Sequence, residues 1–102
     1  MRRGEIWRYA PTLSDGTPFP RRMTVVLVSD SAMITARYRW LHVIPLREHD
    51  PGHVLATRTE HGWADALELY RAYRPWLTEY RGMLSPVETE SLDARLRATL
   101  SL

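Results

Sequence analysis

Two apolar runs organise the chain. Met23-Thr24-Val25-Val26-Leu27-Val28 is β-branched and apolar at odd and even positions alike, the pattern of a central strand covered on both faces. Residues 38–46 form the second run, and Pro45 near its end predicts an edge position or a termination, because proline offers no ladder N–H. Residues 4–9 read as a shorter strand in which Ile6 and Trp7 face opposite ways. Residues 10–22 hold three prolines and a glycine, which predicts a long loop turning at Asp15-Gly16. Ser29-Asp30-Ser31 supplies capping oxygens for one or two helical turns over residues 32–36. Beyond the polar stretch 47–52, which closes on Asp50-Pro51-Gly52, residues 53–58 are strand-like. Glu60-His61-Gly62 then turns the chain, residues 63–69 return antiparallel, and residues 71–77 form a further strand.

The last element is the clearest. Ser85-Pro86-Val87-Glu88 is a capping box, with serine as N-cap, proline at the first helical position and glutamate three residues on from the serine. Leu92, Leu96 and Leu100 follow four apart, with Val87 near the same face, so the helix is expected to pack a leucine stripe on a sheet or barrel. Glu88, Glu90 and Asp93 precede Arg95 and Arg97, the order that suits the helix dipole. Short antiparallel strands followed by one helix give an α+β class, mainly β. Among the aromatics, Trp40 and Trp63 are the expected core members.

A length of 102 residues fits a single domain spanning 1–102, and the apolar content of 44% with 25% charged residues is that of a globular protein. With no cysteine there is neither a disulfide nor a thiolate metal site. No stretch approaches the ~20 apolar residues of a membrane span, and Glu5 and Arg8 interrupt what would be a signal-peptide core, so the cytoplasm is expected. All 14 basic residues are arginine, each a planar fork suited to phosphate and to stacking. Eight of them stand against three acids in residues 1–47, and six against nine in residues 48–102, so the N-terminal half is the basic one. That asymmetry suits nucleic acid, whose phosphates dominate affinity; a merely solvated surface is the alternative.

Residue order adds a resemblance. Arg2-Arg3-Gly4-Glu5-Ile6-Trp7, the loop ending in Arg21-Arg22, Val25-Val26-Leu27-Val28-Ser29, Val43-Ile44-Pro45, and Gly82-Met83-Leu84 before the final helix run in the same order as the motifs of MazF/PemK-type toxins of bacterial toxin–antitoxin pairs. The chain resembles that family over nearly its whole length. The resemblance implies a small SH3-like antiparallel barrel with an appended C-terminal helix, a symmetric homodimer, and a cognate antitoxin peptide as inhibitor. It also implies cleavage of single-stranded RNA without metal or other cofactor, by attack of the ribose 2′-hydroxyl on the adjacent phosphate. Three features depart from the pattern, the first being that the family's Asp-Gln pair in the later strands has no clear match between Leu67 and Arg74. Arg22 stands seven residues before Ser29 and is followed by Met23 rather than proline, and Arg47-Glu48 occupies the place of a Thr-Ser pair.

Candidate residues follow. Arg22 is the expected stabiliser of the phosphorane, with Arg21 beside it as a phosphate ligand; Arg47, or a histidine nearby, is expected to stand in for the missing hydroxyl. His49 has an acid–base side chain suited to neutral pH, and Glu48 beside it is a candidate to orient it. A metal reading of Glu48-His49-Asp50 with His53 is weakened by Pro51-Gly52, which prevents the two histidines from aligning on a helix. Arg2 and Arg3 are expected to assist RNA or antitoxin binding. Tyr70-Arg71-Ala72-Tyr73-Arg74 alternates aromatic and basic residues at strand period, which suits an RNA surface or a dimer interface. His42 reads as a packed or edge residue and His61 as part of a turn. The rival to an enzyme is a catalytically silent MazF/CcdB-like binding module.

Overall fold

The apolar run at 23–28 does become a central strand, and its two faces define two separate cores. In the computed structural model, which describes residues 1–18 and 23–100, the strands are β1 (Glu5–Tyr9), β2 (Met23–Leu27), β3 (Trp40–Arg47), β4 (Ala56–Thr59), β5 (Gly62–Asp65), β6 (Tyr70–Tyr73) and β7 (Leu77–Met83). The helices are α1 (Ser31–Thr35) and α2 (Pro86–Leu100), with one 3-10 turn at Arg74–Trp76. All strand pairings are antiparallel, in the order β4-β5-β3-β2-β1-β7, with β6 also paired to β3. Ile6, Val26 and Ile44 lie in register across β1, β2 and β3 and are fully buried under Leu92 and Leu96 of α2. Val25, Leu27, Leu41 and Val43 point the other way, into a second core with Ile34, Ala72 and Leu77, against which Trp7 and Tyr9 pack. Burying each large aliphatic side chain contributes about 1.5–3 kcal/mol, so this double-faced β2–β3 unit is the energetic centre of the domain.

The sheet curls into the expected small SH3-like barrel. Its far ends meet where the tip of the β4–β5 hairpin rests on β7, with the His61 ring against Gly82. The fold is therefore α+β and mainly β. Asp30 caps α1 by accepting from the Ala32 N–H at 3.0 Å. The capping box of α2 forms on both sides: the Glu88 N–H donates to Ser85 Oγ at 3.1 Å, and the Ser85 N–H donates to Glu88 Oε1 at 2.8 Å.

Several expectations are corrected. Pro45 marks neither an edge nor an end: β3 pairs with β2 along one side, and along the other it exchanges β6 for β5 between Val43 and Leu46. Proline is tolerated there because no partner on that side needs its N–H. Trp40 is 45% exposed and not a core residue, because α2 covers its face of β3 only from Ile44 onward. Trp63 is half-buried. Val87 and Leu100 are 76% and 67% exposed, so the packed stripe of α2 is Leu92 and Leu96. The strand expected at 53–58 begins only at Ala56, the return strand is shortened to Gly62–Asp65, and Pro75 ends β6 in a 3-10 turn. Beyond that turn, β7 is a strand that the apolar pattern did not predict.

Candidate functional site

A cleft of about 690 Å³ opens beside the C-terminal end of β3. Met23 and Thr24 of β2, Pro45, Leu46 and Arg47 of β3, and Glu48 just beyond form part of its lining. Tyr70 of β6, Arg81 of β7 and His61 of the β4–β5 turn complete the polar part.

Each polar group is placed by a local device. Arg47 is aligned by Glu68, whose carboxylate accepts from Nε at 3.1 Å and also from Nη2. That carboxylate raises the pKa of Arg47 above arginine's ordinary value, so the guanidinium is a permanent cation. A guanidinium has five N–H donors, and this pair occupies the Nε/Nη2 edge, leaving the Nη1/Nη2 edge for an anion. Arg47 is 46% exposed, and ion pairs of that exposure add only ~0–1 kcal/mol to stability. The pair's main physical effect is orientation. Gly62 lets β5 approach here: it has φ +125, and a Cβ on it would lie 2.7 Å from the Arg47 carbonyl oxygen. Arg81 stands at a β-bulge, since Ile6 faces Gly82 and Trp7 faces Tyr80, leaving Arg81 as the extra residue. Bulges re-aim side chains next to sites, and this one puts Arg81 in the cleft. Glu79 accepts from Arg81 Nη1 at 3.1 Å and also lies 3.5 Å from Arg8.

The expected site residues distribute as follows. Arg47 and Tyr70 meet in this cleft. His49 lies on the other flank of Arg47, in a shallower depression shared with Asp50, Pro51 and Glu68. Arg21 and Arg22 lie outside the described residues. Arg2 is highly exposed, 3.9 Å from Glu5, while Arg3 donates to Asp93 of α2 at 2.6 Å. Arg71 sits over the Trp40 ring, 5.3 Å from its centroid, and Tyr73 packs against the same tryptophan at 5.2 Å. With half-exposed Trp40, these two form an aromatic ledge at the uncovered end of β3. Arg74 donates to the carbonyls of Ile34 at 2.9 Å and Tyr38 at 3.5 Å, tying the 3-10 turn after β6 to α1 and the segment that follows it. His53 bonds Asp65 at 2.8 Å, which ties the 50–55 loop to β5, and among the described residues no group of three acids and histidines is arranged to hold a metal.

Sequence reasoning did not single out Thr24, Arg81 or Glu68, and it saw His61 only as part of a turn. The glycine inside Tyr80-Arg81-Gly82 was the available signal, since glycine within a strand marks a bulge or a close approach.

Barrel, bulged edge strand and appended helix together define a class of small antiparallel β-proteins. The chain matches no family model and no curated protein. Solved structures of the same fold include an endoribonuclease in complex with its cognate antitoxin from a mycobacterial species. That protein is 16% identical, with TM-score 0.83, and the match covers 100% of this chain and 96% of the other. An endoribonuclease from a mycobacterial species matches at 15% identity and TM-score 0.80, covering 100% and 92%. MazF in the MazE–MazF complex of Deinococcus radiodurans matches at 13% identity and TM-score 0.80, covering 100% and 97%. At these identities the likeness establishes the fold. No helix is long and apolar enough to cross a membrane among the described residues.

Proposed function

We propose that this protein is the growth-inhibiting toxin of a toxin–antitoxin pair, a homodimeric endoribonuclease that cuts single-stranded RNA without metal and is neutralised by a cognate antitoxin peptide. The observation that carries this reading is Arg47, aligned by Glu68 at the rim of a cleft with one guanidinium edge left for a phosphate. Full-length likeness to endoribonucleases, one of them solved with its antitoxin, supports it.

Cleavage by the 2′-hydroxyl needs a cation at the phosphorane, and preorganised electrostatic stabilisation is usually the largest catalytic contribution. In this reading Arg47 supplies it together with Arg22, and Arg81 adds a further positive charge in the cleft. Tyr70 offers a phenol edge for a base or a sugar, and His49 binds the strand where it leaves the cleft. The ledge of Trp40, Arg71 and Tyr73 holds unpaired bases by stacking, which is sequence-tolerant. The test is incubation of single-stranded RNA with the purified protein in EDTA, beside an Arg47→Ala variant. Cleavage by the wild type and its loss in the variant are expected; equal cleavage by both would sink the assignment.

One feature favours a second reading, a catalytically silent binding module on the same barrel. Among the described residues, the two arginines that line the cleft already have carboxylate partners, Glu68 and Glu79, which compete with phosphate. Growth arrest on expression with intact RNA would select that reading.

A further inference from the structure

The β4–β5 turn carries into the cleft a histidine whose support lies in the backbone around it. Its backbone is pinned three ways: Glu60 N–H donates to Glu88 Oε2 at 2.8 Å, His61 N–H donates to Thr59 Oγ1 at 3.0 Å, and Thr59 Oγ1 donates to the Gly62 carbonyl at 2.7 Å. The imidazole then lies on bare backbone. A Cβ on Gly82 would come within 2.9 Å of His61 Cε1, and Gly82 has φ +146, a conformation that side chains rarely adopt. A side chain at 82 would be strained at that φ and would require the His61 ring to shift from where it lies. The Glu88 carboxylate of α2 holds the turn and is near enough for the charge of His61 to act on it. Among the described residues, neither ring nitrogen of His61 makes a hydrogen bond, while the ring lines the cleft with Arg47, Arg81, Tyr70 and Thr24.

His61 is exposed, yet its turn is fixed at more points than a surface turn requires. Strand cleavage requires a group that can lose and gain a proton near neutrality. Arginine cannot give up its proton, and imidazole is the side chain whose ordinary range makes both forms available. We propose that His61 is the general base of the cleft, placed by the Gly82 cradle and held by the Glu88-anchored turn. This inference rests on the ribonuclease reading above. In the step, His61 takes the 2′-hydroxyl proton as the 2′-oxygen–phosphorus bond forms. The phosphorus–5′-oxygen bond then breaks, and the leaving 5′-oxygen takes a proton from solvent. The products are a 2′,3′-cyclic phosphate and a 5′-hydroxyl. Among the described residues, the charged and titratable groups of the cleft and its turn are Glu88 from α2, Glu60 beside His61, Arg81 from β7, Arg47 and Glu48 from the end of β3, and Tyr70 from β6.

The experiment measures cleavage of a short single-stranded RNA against pH for the full chain, His61→Ala, Gly82→Ala and Arg47→Ala, with folding of each checked by Tm. Expected for His61→Ala is a fall in kcat of ~10²-fold or more, loss of the acid limb of the pH–rate profile, and partial recovery with added imidazole. Gly82→Ala, which keeps the histidine but fills its cradle, is expected to lower kcat as well. If the wild type cleaves and Arg47→Ala fails while His61→Ala keeps its rate and its acid limb, the inference is overturned and the function stands. A rise in KM alone overturns it equally, because His61 would then only bind. Full activity in Gly82→Ala removes the cradle argument and the proposal with it. A wild type that cuts no RNA overturns this inference together with the ribonuclease reading on which it rests.

Discussion

Two arginines in this molecule form ion pairs of the same chemistry with opposite consequences. Arg3, ahead of β1, donates to Asp93 on α2, and with both partners about one-third exposed the pair closes a seam between sheet and helix. Arg47 donates to Glu68 across the end of β3, but its pair stands at the rim of a cleft and leaves one edge of the guanidinium unused. The first pair joins sheet to helix through one nitrogen of its arginine, whereas the second fixes its arginine through two at the rim of the cleft. What separates them is the surroundings. Arg3 borders a depression of about 860 Å³ that its own partner Asp93 also lines, with Leu96 and Leu100 of α2, while Arg47 borders a cleft shared with Tyr70, His61, Thr24 and a second guanidinium. An ion pair alone therefore says little about role, and the polar groups gathered around the space beside it say more.

The strongest way to break this contrast is at Arg47. Arg47→Ala is expected to lower kcat for RNA cleavage by ~10²–10³-fold, the usual cost of removing one preorganised donor from a developing anion. Its Tm should hardly move, since exposed pairs contribute ~0–1 kcal/mol. A large loss of Tm with kcat intact would put Arg47 in the same class as Arg3. Glu68→Gln sharpens the point, because it keeps the arginine and weakens its alignment; a fall in kcat of ~10-fold is expected from misplacement alone. Next in size is the ledge. Trp40→Ala should weaken binding of single-stranded RNA by ~1–3 kcal/mol, read as a higher Kd with kcat little changed. Arg71→Ala should reduce the salt dependence of that binding by ~0.7 in log–log slope. Unchanged affinity in both variants would make the ledge a protein contact instead.

How far the sequence revealed these features depends on distance along the chain. The capping box at Ser85–Glu88 and the double-faced run at 23–28 were legible because their signals are local: a three-residue spacing and a six-residue composition. β7 was not. Of its residues Leu77 alone is buried, and Thr78, Glu79, Tyr80 and Arg81 are exposed, so no apolar alternation marks it; backbone pairing to β1 holds it in place. Trp40 misled for a related reason, since its burial depended on how far along β3 the helix α2 would reach. The Arg47–Glu68 pair joins residues 21 apart, with nothing in either neighbourhood to announce it. His61 was visible as a turn residue, and its cradle was not, because Gly82 lies on a strand that the pattern missed.

The smallest effects belong to the structural side of the contrast. Arg3→Ala should cost about 1 kcal/mol or less in stability, and Ser85→Ala about 1 kcal/mol through loss of the α2 cap. Acid titration separates the cap further. Burial raises the pKa of Glu88, but hydrogen bonds from the Ser85 and Glu60 N–H groups and the Ser85 hydroxyl, with the charge of His61, outweigh it and hold the value below the ordinary 4.5. A carboxylate whose folded pKa is depressed binds its proton less readily in the folded chain than in the unfolded one. Its stabilising contribution is therefore complete above about 4.5 and disappears as pH falls through the lower folded value. Asp15 shifts in the same direction through its bonds to Thr17, but it fastens only a turn of the first long loop. Glu88→Gln should accordingly flatten the decline of Tm below pH 4.5 and lower Tm modestly above it, while Asp15→Asn should leave that decline nearly as steep. If both variants behave alike, the Glu88 bridge between helix cap and hairpin turn does not hold the turn that carries His61.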